Sequence, residues 1–409
     1  MTAPQPHPRV VFLCQRVPWP PDRGDRITTW HYLQHLLQRG ASVQIGCFVE
    51  EERDHEAVAF LRRRGCEVVA PRLSRGVRKL TSLRGLLTGE ALTLPFFRHP
   101  ALARAVSAWC TTPPDLIYVY SSSMAQYARH TPARAKVMQF AELDSDKWRQ
   151  FAAVGGPLAR WIFGREAERL LAFETEVARS FSRSLVVSEV EKELFQRCIP
   201  DVTPDVLPNG VDVDHFATAG DAERHAHTCV FTGVMDYEPN VDGICWFVDR
   251  CWPTLRQRFP DARLLVVGSK PIPKVQALAG RDGITVTGRV ETTPPWFDKA
   301  AVAIAPLRLA RGVQNKVLEA LSMSLPVVST PQAAQGLGDA PPEALCVAAD
   351  EPATIAGVAQ WFDDPDRARR DGAAAGEWVR REWRWQRMYE RLDTILAELG
   401  VTFPEPVRP

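Results

Sequence analysis

The stretch RLARGVQNKVLEAL, residues 308–321, sets Arg308, Arg311, Lys316 and Glu319 around Gly312 and Asn315. Two kinds of chemistry meet there: cations that attract an anion, and a carboxylate that accepts hydrogen bonds from hydroxyl groups. Val313, Val317, Ala320 and Leu321 fall at helical spacing, which predicts a helix from about Val313 with Lys316 and Glu319 beside its apolar stripe. The unpaired N–H groups and dipole at a helix start favour an anion, each exposed contact contributing about 0.3–1 kcal/mol. Arg311 and Lys316 add full charges, and Glu319 could bind a sugar diol. A solvated i,i+3 Lys–Glu pair is the competing reading.

Other stretches hold further candidates. In CVFTGVMDYEPNVDGICWF (229–247), a strand ends at Gly233 and is followed by Asp236 and a helix capped near Asn240. Gly24 sits in the loop after the first strand, where a glycine permits close approach of backbone to a ligand. Asn209-Gly210 reads as a turn. Asp144, in FAELDSDKWRQFA, is the carboxylate placed for acceptor binding or proton traffic. The short acidic turns DSD and DVD give no metal site. His31 and His35 stand at i,i+4 without the glutamate of H-E-x-x-H and read as a helix face. No G-x-S-x-G, phosphate-loop or intact G-x-G-x-x-G pattern occurs.

The elements that must position these residues are legible in outline. Short apolar runs alternate with helical stretches: RVVFLC, SVQIGCFV, CEVVAP, LIYVY, KVMQFAE and SLVVS. After a proline-rich interval around 199–228 come CVFTG, RLLVVG, ITVTG, VAIAPL, PVVST and LCVAA. That alternation predicts an α/β fold with parallel sheets covered on both faces. It divides into two Rossmann-like doubly wound domains, 1–200 and 201–381, facing a cleft. A terminal segment, 382–409, is aromatic and amphipathic. In such sheets ligands sit beyond the carboxyl ends of the strands.

The 409 residues exceed one ordinary core. Fifty basic and 49 acidic residues leave no global pull toward nucleic acid. Nine scattered cysteines without C-x-x-C indicate a reducing, cytoplasmic setting and no structural zinc. The N-terminus carries no secretory pattern, and no apolar run approaches the ~20 residues of a membrane span. Residues 61–85 hold eight basic residues and one acidic residue. They form either a solvated helical face or a contact for an anionic membrane surface.

Glu319 followed by ALSMSLPVVST resembles the donor-binding segment of family-4 glycosyltransferases, whose fold is GT-B. The resemblance spans nearly the whole chain and is closest over 229–350. In that family a first glutamate stands eight positions before the second. Here that place is held by Arg311, of opposite charge, so only the ribose-binding role of the second glutamate carries over, to Glu319. The family's diphosphate clamp, an Arg after the strand-ending Gly and a Lys some six residues later, falls on Val234 and Asn240. Arg311 and Lys316 are therefore expected to supply the charge. The string ARGVQNKVLEALSMSLPVV is similar to a branch associated with exosortase (PEP-CTERM) loci.

The resemblance implies transfer of a sugar from a nucleotide-diphospho sugar to a glycan or lipid-linked acceptor in bacterial exopolysaccharide or glycoconjugate synthesis. It implies retention of configuration and neither metal nor cofactor. Asn209, Gly210, Gly312, Asn315, Gly233 and Asp236 would line the donor site, and Gly24, in the family's first βα loop, would approach the donor phosphates as well. Similar proteins end with a helix that crosses back onto the first domain, which would make Trp383, Trp385 and Tyr389 the anchors of 382–409. The alternatives are a nucleotide-sugar-binding protein that has lost catalysis, a GT-B nucleotide-sugar 2-epimerase, and a two-lobed binding protein.

Overall fold

A computed structural model describes residues 7–218, 224–310 and 312–403, the side chains at 75, 84, 87 and 154 excepted. The chain forms two compact units, Met1–Leu207 with Tyr389–Pro409, and Pro208–Met388.

The first unit is built on seven parallel strands: β1 (Arg9–Arg16), β2 (Ser42–Phe48), β3 (Glu67–Val69), β4 (Leu116–Tyr120), β5 (Ala135–Ala141), β6 (Arg183–Val186) and β7 (Asp205–Val206). Their order is β3-β2-β1-β4-β5-β6-β7. Val10 to Leu13 are wholly buried. An unbroken apolar run is what a strand covered on both faces requires. β7 lies in the proline-rich interval read as linker. At two residues it is too short to show a period, and its pairing with Leu185 and Val186 of β6 makes it a strand.

The second unit holds six parallel strands: β8 (Thr228–Thr232), β9 (Arg263–Val267), β10 (Ile284–Val286), β11 (Val302–Ala305), β12 (Val327–Ser329) and β13 (Leu345–Val347), ordered β10-β9-β8-β11-β12-β13. Strand order reverses between β8 and β11. That switch point opens a crevice at the carboxyl ends of the two strands, and the opening stretch leaves β11 there.

The Trp385–Glu398 helix contributes to the first unit through buried Leu392 and Leu396. Tyr389 stacks on His35 with ring centroids 4.5 Å apart, and its hydroxyl meets His31 Nδ1 at 2.8 Å. His35 Nε2 meets Asp393 Oδ1 at 2.8 Å. The two histidines thus serve helix packing. Trp383 and Trp385 depart from expectation, because both lie in the second unit. Trp383 packs against Trp378, and Trp385 against Gly210. A Cβ on Gly210 would stand 2.8 Å from the Trp385 Cα, so this glycine serves close approach rather than a turn. No helix among the described residues is long and apolar enough to cross a membrane.

Candidate active site

β8 runs out into Gly233, whose N–H donates to the Val267 carbonyl of β9 at 3.0 Å. The Met235 N–H then donates to Ser269 O at 2.8 Å, which locks the two exit loops together. Gly268 makes this fit possible. Its φ is +153°, and a Cβ there would stand 1.7 Å from the Gly233 carbonyl oxygen. The following helix, Glu238–Trp246, starts two residues before Asn240, so Asn240 lies inside the first turn and is no cap. The residue is buried, and its Nδ2 donates to Val234 O at 2.9 Å. Gly243 lets the same helix lie against β11's exit, since a Cβ would meet Pro306 O at 2.5 Å.

On the β11 side, Gly312 is buried and left-handed, with φ of +60°. Gln314 is extended, and the helix runs Asn315–Ser322, two residues later than the apolar stripe suggests. The stripe reports which residues face the core, whereas the left-handed glycine and extended Gln314 fix where helical hydrogen bonding begins. Asn315 Oδ1 accepts from Asn209 Nδ2 at 3.4 Å.

Lys316 occupies the switch point. Its Nζ donates to Asn240 Oδ1 at 2.5 Å and lies 4.5 Å from the centre of the Phe231 ring. A Cβ on Gly233 would be 3.0 Å from the same Nζ. The ammonium therefore sits over an aromatic face at the end of β8, where a cation–π contact contributes about 0.5–2 kcal/mol. Burial lowers the Lys316 pKa to about 7, with the Glu319 carboxylate opposing. Burial raises the Glu319 pKa to about 7, with the Lys316 cation opposing. An anion arriving beside this buried ammonium would favour its charged form and raise its pKa again.

The other sequence candidates are placed as follows. Arg311 lies outside the described residues. Asp236 is exposed in the turn before the helix, 4.0 Å from Lys270 Nζ. Gly24 is the first residue of the Gly24–Gln38 helix, and no atom stands within 4 Å of a Cβ built on it. Asp144 belongs to the first unit and begins the Asp144–Val154 helix. Its Oδ2 accepts from Ser122 Oγ at 3.2 Å, and its N–H donates to Glu174 Oε1 at 3.1 Å. Glu174 is fully buried. Burial and the neighbouring Asp144 charge push its pKa up to about 8. Among the described residues, no three His, Cys, Asp or Glu side chains gather as a metal site.

Phe231, the bridging role of Asn240, and Glu174 escape the sequence reading. Phe231 looks like any other residue of an apolar strand. Glu174 left a trace, since it falls on the buried stripe of Leu170, Phe173 and Val177, where a carboxylate is out of place.

Residues 226–364 match the family Glycosyl transferases group 1. The chain carries a glycosyltransferase domain. An uncharacterized 44.6 kDa protein in the cps region of Klebsiella pneumoniae is 24% identical over 84% of this chain and 88% of its own length. The phosphatidyl-myo-inositol mannosyltransferase of Mycobacterium tuberculosis is 41% identical over 78 residues, 18% of this chain and 20% of that protein. The Anabaena HepE structure in complex with UDP-glucose superposes with a TM-score of 0.67 at 13% identity, covering 96% of this chain and all of its own. The glycosyltransferase fold is GT-B, two parallel-sheet Rossmann-like units as expected from the sequence.

Proposed function

We propose that this glycosyltransferase moves a hexosyl group from a nucleotide-diphospho sugar to a glycan or lipid-linked acceptor in bacterial exopolysaccharide synthesis. Configuration is retained and no metal is used. The observation that carries this reading is the Lys316 ammonium at the carboxyl end of β8, held by Asn240 beside Gly233. Asn240 stands where the resembled family has the second clamp cation. Lys316, arriving from the β11 side, brings a positive charge back to the same point. Arg311 adds the second charge, and the Gly233 loop brings backbone close to the phosphates.

As the glycosidic C–O bond to the donor breaks, charge develops on the leaving diphosphate, and Lys316 stabilises it. The acceptor hydroxyl attacks from the same face and passes its proton to the leaving phosphate oxygen, so no protein nucleophile takes part. Glu319 accepts from the ribose hydroxyls. Asp144 orients the acceptor. Support for the donor class comes from the UDP-glucose complex of the Anabaena neighbour. Support for a polysaccharide setting comes from the cps-region relative, and for a lipid-linked acceptor from the mannosyltransferase. The R-G-x-x-N-K-V-L-E-A core supports the exosortase-associated branch. The reaction takes place on the cytoplasmic side, at or near the membrane.

A thermal-shift panel of UDP-, GDP- and dTDP-sugars tests the reading. One donor class should raise the melting temperature, by mass action on the native state. Lys316→Ala should abolish that shift and lower kcat/KM by about 10²–10³. An unchanged shift in Lys316→Ala refutes the placement. Val234 and Asn240 at the clamp positions favour one second reading, a donor-binding protein without transferase activity. A donor shift with no transfer to any glycan or lipid-linked acceptor would establish it.

A further inference from the structure

The Arg75–Ser82 helix is turned inside out. It buries Ser82 while Val77 and Leu80, on one face at i,i+3, are exposed, Leu80 at 74%. Leu83 and Leu86, in the next turn and the Arg84–Thr88 helix, are exposed too. A second group lies on the hairpin of the Asp144–Val154 and Pro157–Ser180 helices, where Phe151, Leu158 and Trp161 are exposed, the last two at 71% and 59%.

The two groups are neighbours. Arg165, one turn on from Trp161, donates to Gly85 O at 2.7 Å and to Glu90 O at 3.0 Å. Glu166 accepts from the backbone N–H groups of Leu92 and Thr93. Seven exposed large apolar side chains thus gather on one part of the first unit, more than a soluble surface ordinarily leaves together.

Charge indicates what covers them. Residues 72–88 and 147–165 hold nine basic and no acidic residues, of which Arg78 and Arg165 donate to backbone carbonyls and Arg149 pairs with Asp146 just before the second stretch. Lys79, Lys147 and Arg160 are exposed among the apolar side chains. Arg62 and Arg64, in the same basic run of sequence, are engaged elsewhere. Arg62 donates to Val68 O, and Arg64 lies over Phe60 and Trp30. The cations left beside the apolar side chains are therefore Lys79, Lys147 and Arg160 rather than 61–85 as a whole. Exposed leucines and a tryptophan ringed by cations suit an interface that is apolar inside and anionic at its rim, as a phospholipid surface is.

We propose that this face docks the first unit on an anionic phospholipid bilayer. Leu80, Leu83, Leu158 and Trp161 enter the headgroup–acyl boundary, and the basic side chains meet lipid phosphates. The proposal deepens the lipid-linked acceptor reading and is independent of the donor site.

Co-sedimentation of the full chain with vesicles tests it. Binding is expected to phosphatidylcholine mixed with phosphatidylglycerol and to weaken at least about tenfold on phosphatidylcholine alone. Leu80→Ser with Trp161→Ser, and separately Lys79→Glu with Arg160→Glu, should each lose about tenfold or more. Both double variants should keep the wild-type melting temperature and its donor shift, which shows that they fold. Equal binding by wild type and variants overturns the proposal, as does no binding to mixed vesicles. A wild-type dimer that the Leu80/Trp161 variant dissociates also overturns it, since a second copy would then be the occupant. Wild type that binds vesicles but no nucleotide sugar leaves the docking standing and refutes the donor reading.

Discussion

The Lys316 ammonium has Asn240 Oδ1, the Phe231 ring and Glu319 as company, and burial works against its charge. Its pKa of about 7 lies below the ordinary lysine value, so the cation is progressively lost above pH 7. Calorimetric donor affinity should therefore fall as pH rises from 7 to 9, by up to about tenfold per unit. A flat profile would show that Lys316 does not bind the phosphates. The same shift acts on stability. Between the folded value and the higher unfolded one the unfolded state holds more protons, so this group's contribution to stability rises with pH across that window. Glu174 behaves oppositely. Its folded pKa of about 8 exceeds the ordinary carboxyl value, so its contribution is greatest at low pH and lost as pH rises through 8. Glu174→Gln should therefore lose less stability than wild type between pH 5 and pH 8, by about 1–2 kcal/mol in chemical denaturation. At this scale the sequence marks Lys316 and Glu319 by their place at a helix start. It hides Phe231, because an aromatic under a cation and an aromatic in a core are the same letter in the same strand.

The strands were readable because each is an apolar run covered on both faces. Their exits were less so. The Glu238–Trp246 helix begins before Asn240, and the Asn315–Ser322 helix begins after Val313. In both places loop hydrogen bonding, invisible to periodicity, sets the start. The β8 and β9 exits depend on Gly268, where φ is +153° and the Gly233 carbonyl fills the space a Cβ would need. Gly268→Ala should cost about 2–3 kcal/mol in denaturant unfolding and weaken donor binding through the displaced Gly233 loop. Full stability with normal donor binding would show that the two loops are not coupled. Asn209-Gly210 illustrates the same limit, since its turn-like letters serve the close packing of Trp385.

Across the molecule, nearly balanced charge conceals segregation, with exposed Lys79, Lys147 and Arg160 beside an apolar face in the first unit of a chain whose net charge is only +1. The first unit also depends on the chain's far end, where Leu392 and Leu396 are wholly buried. Leu396→Ala should cost about 2–5 kcal/mol in chemical denaturation of the full chain. A loss below about 0.5 kcal/mol would show that the terminal helix adds little to that core.

The alternation of apolar runs and helical stretches sufficed to determine two doubly wound parallel sheets, because burial on both faces writes itself locally into each strand. A helix start carrying Lys316 and Glu319 was equally local. The partners of Lys316 were decided only in three dimensions. Asn240 is 76 residues away, and Phe231 belongs to another strand. They meet because β8 and β11 lie side by side where the strand order reverses, and no spacing within a single segment records that adjacency.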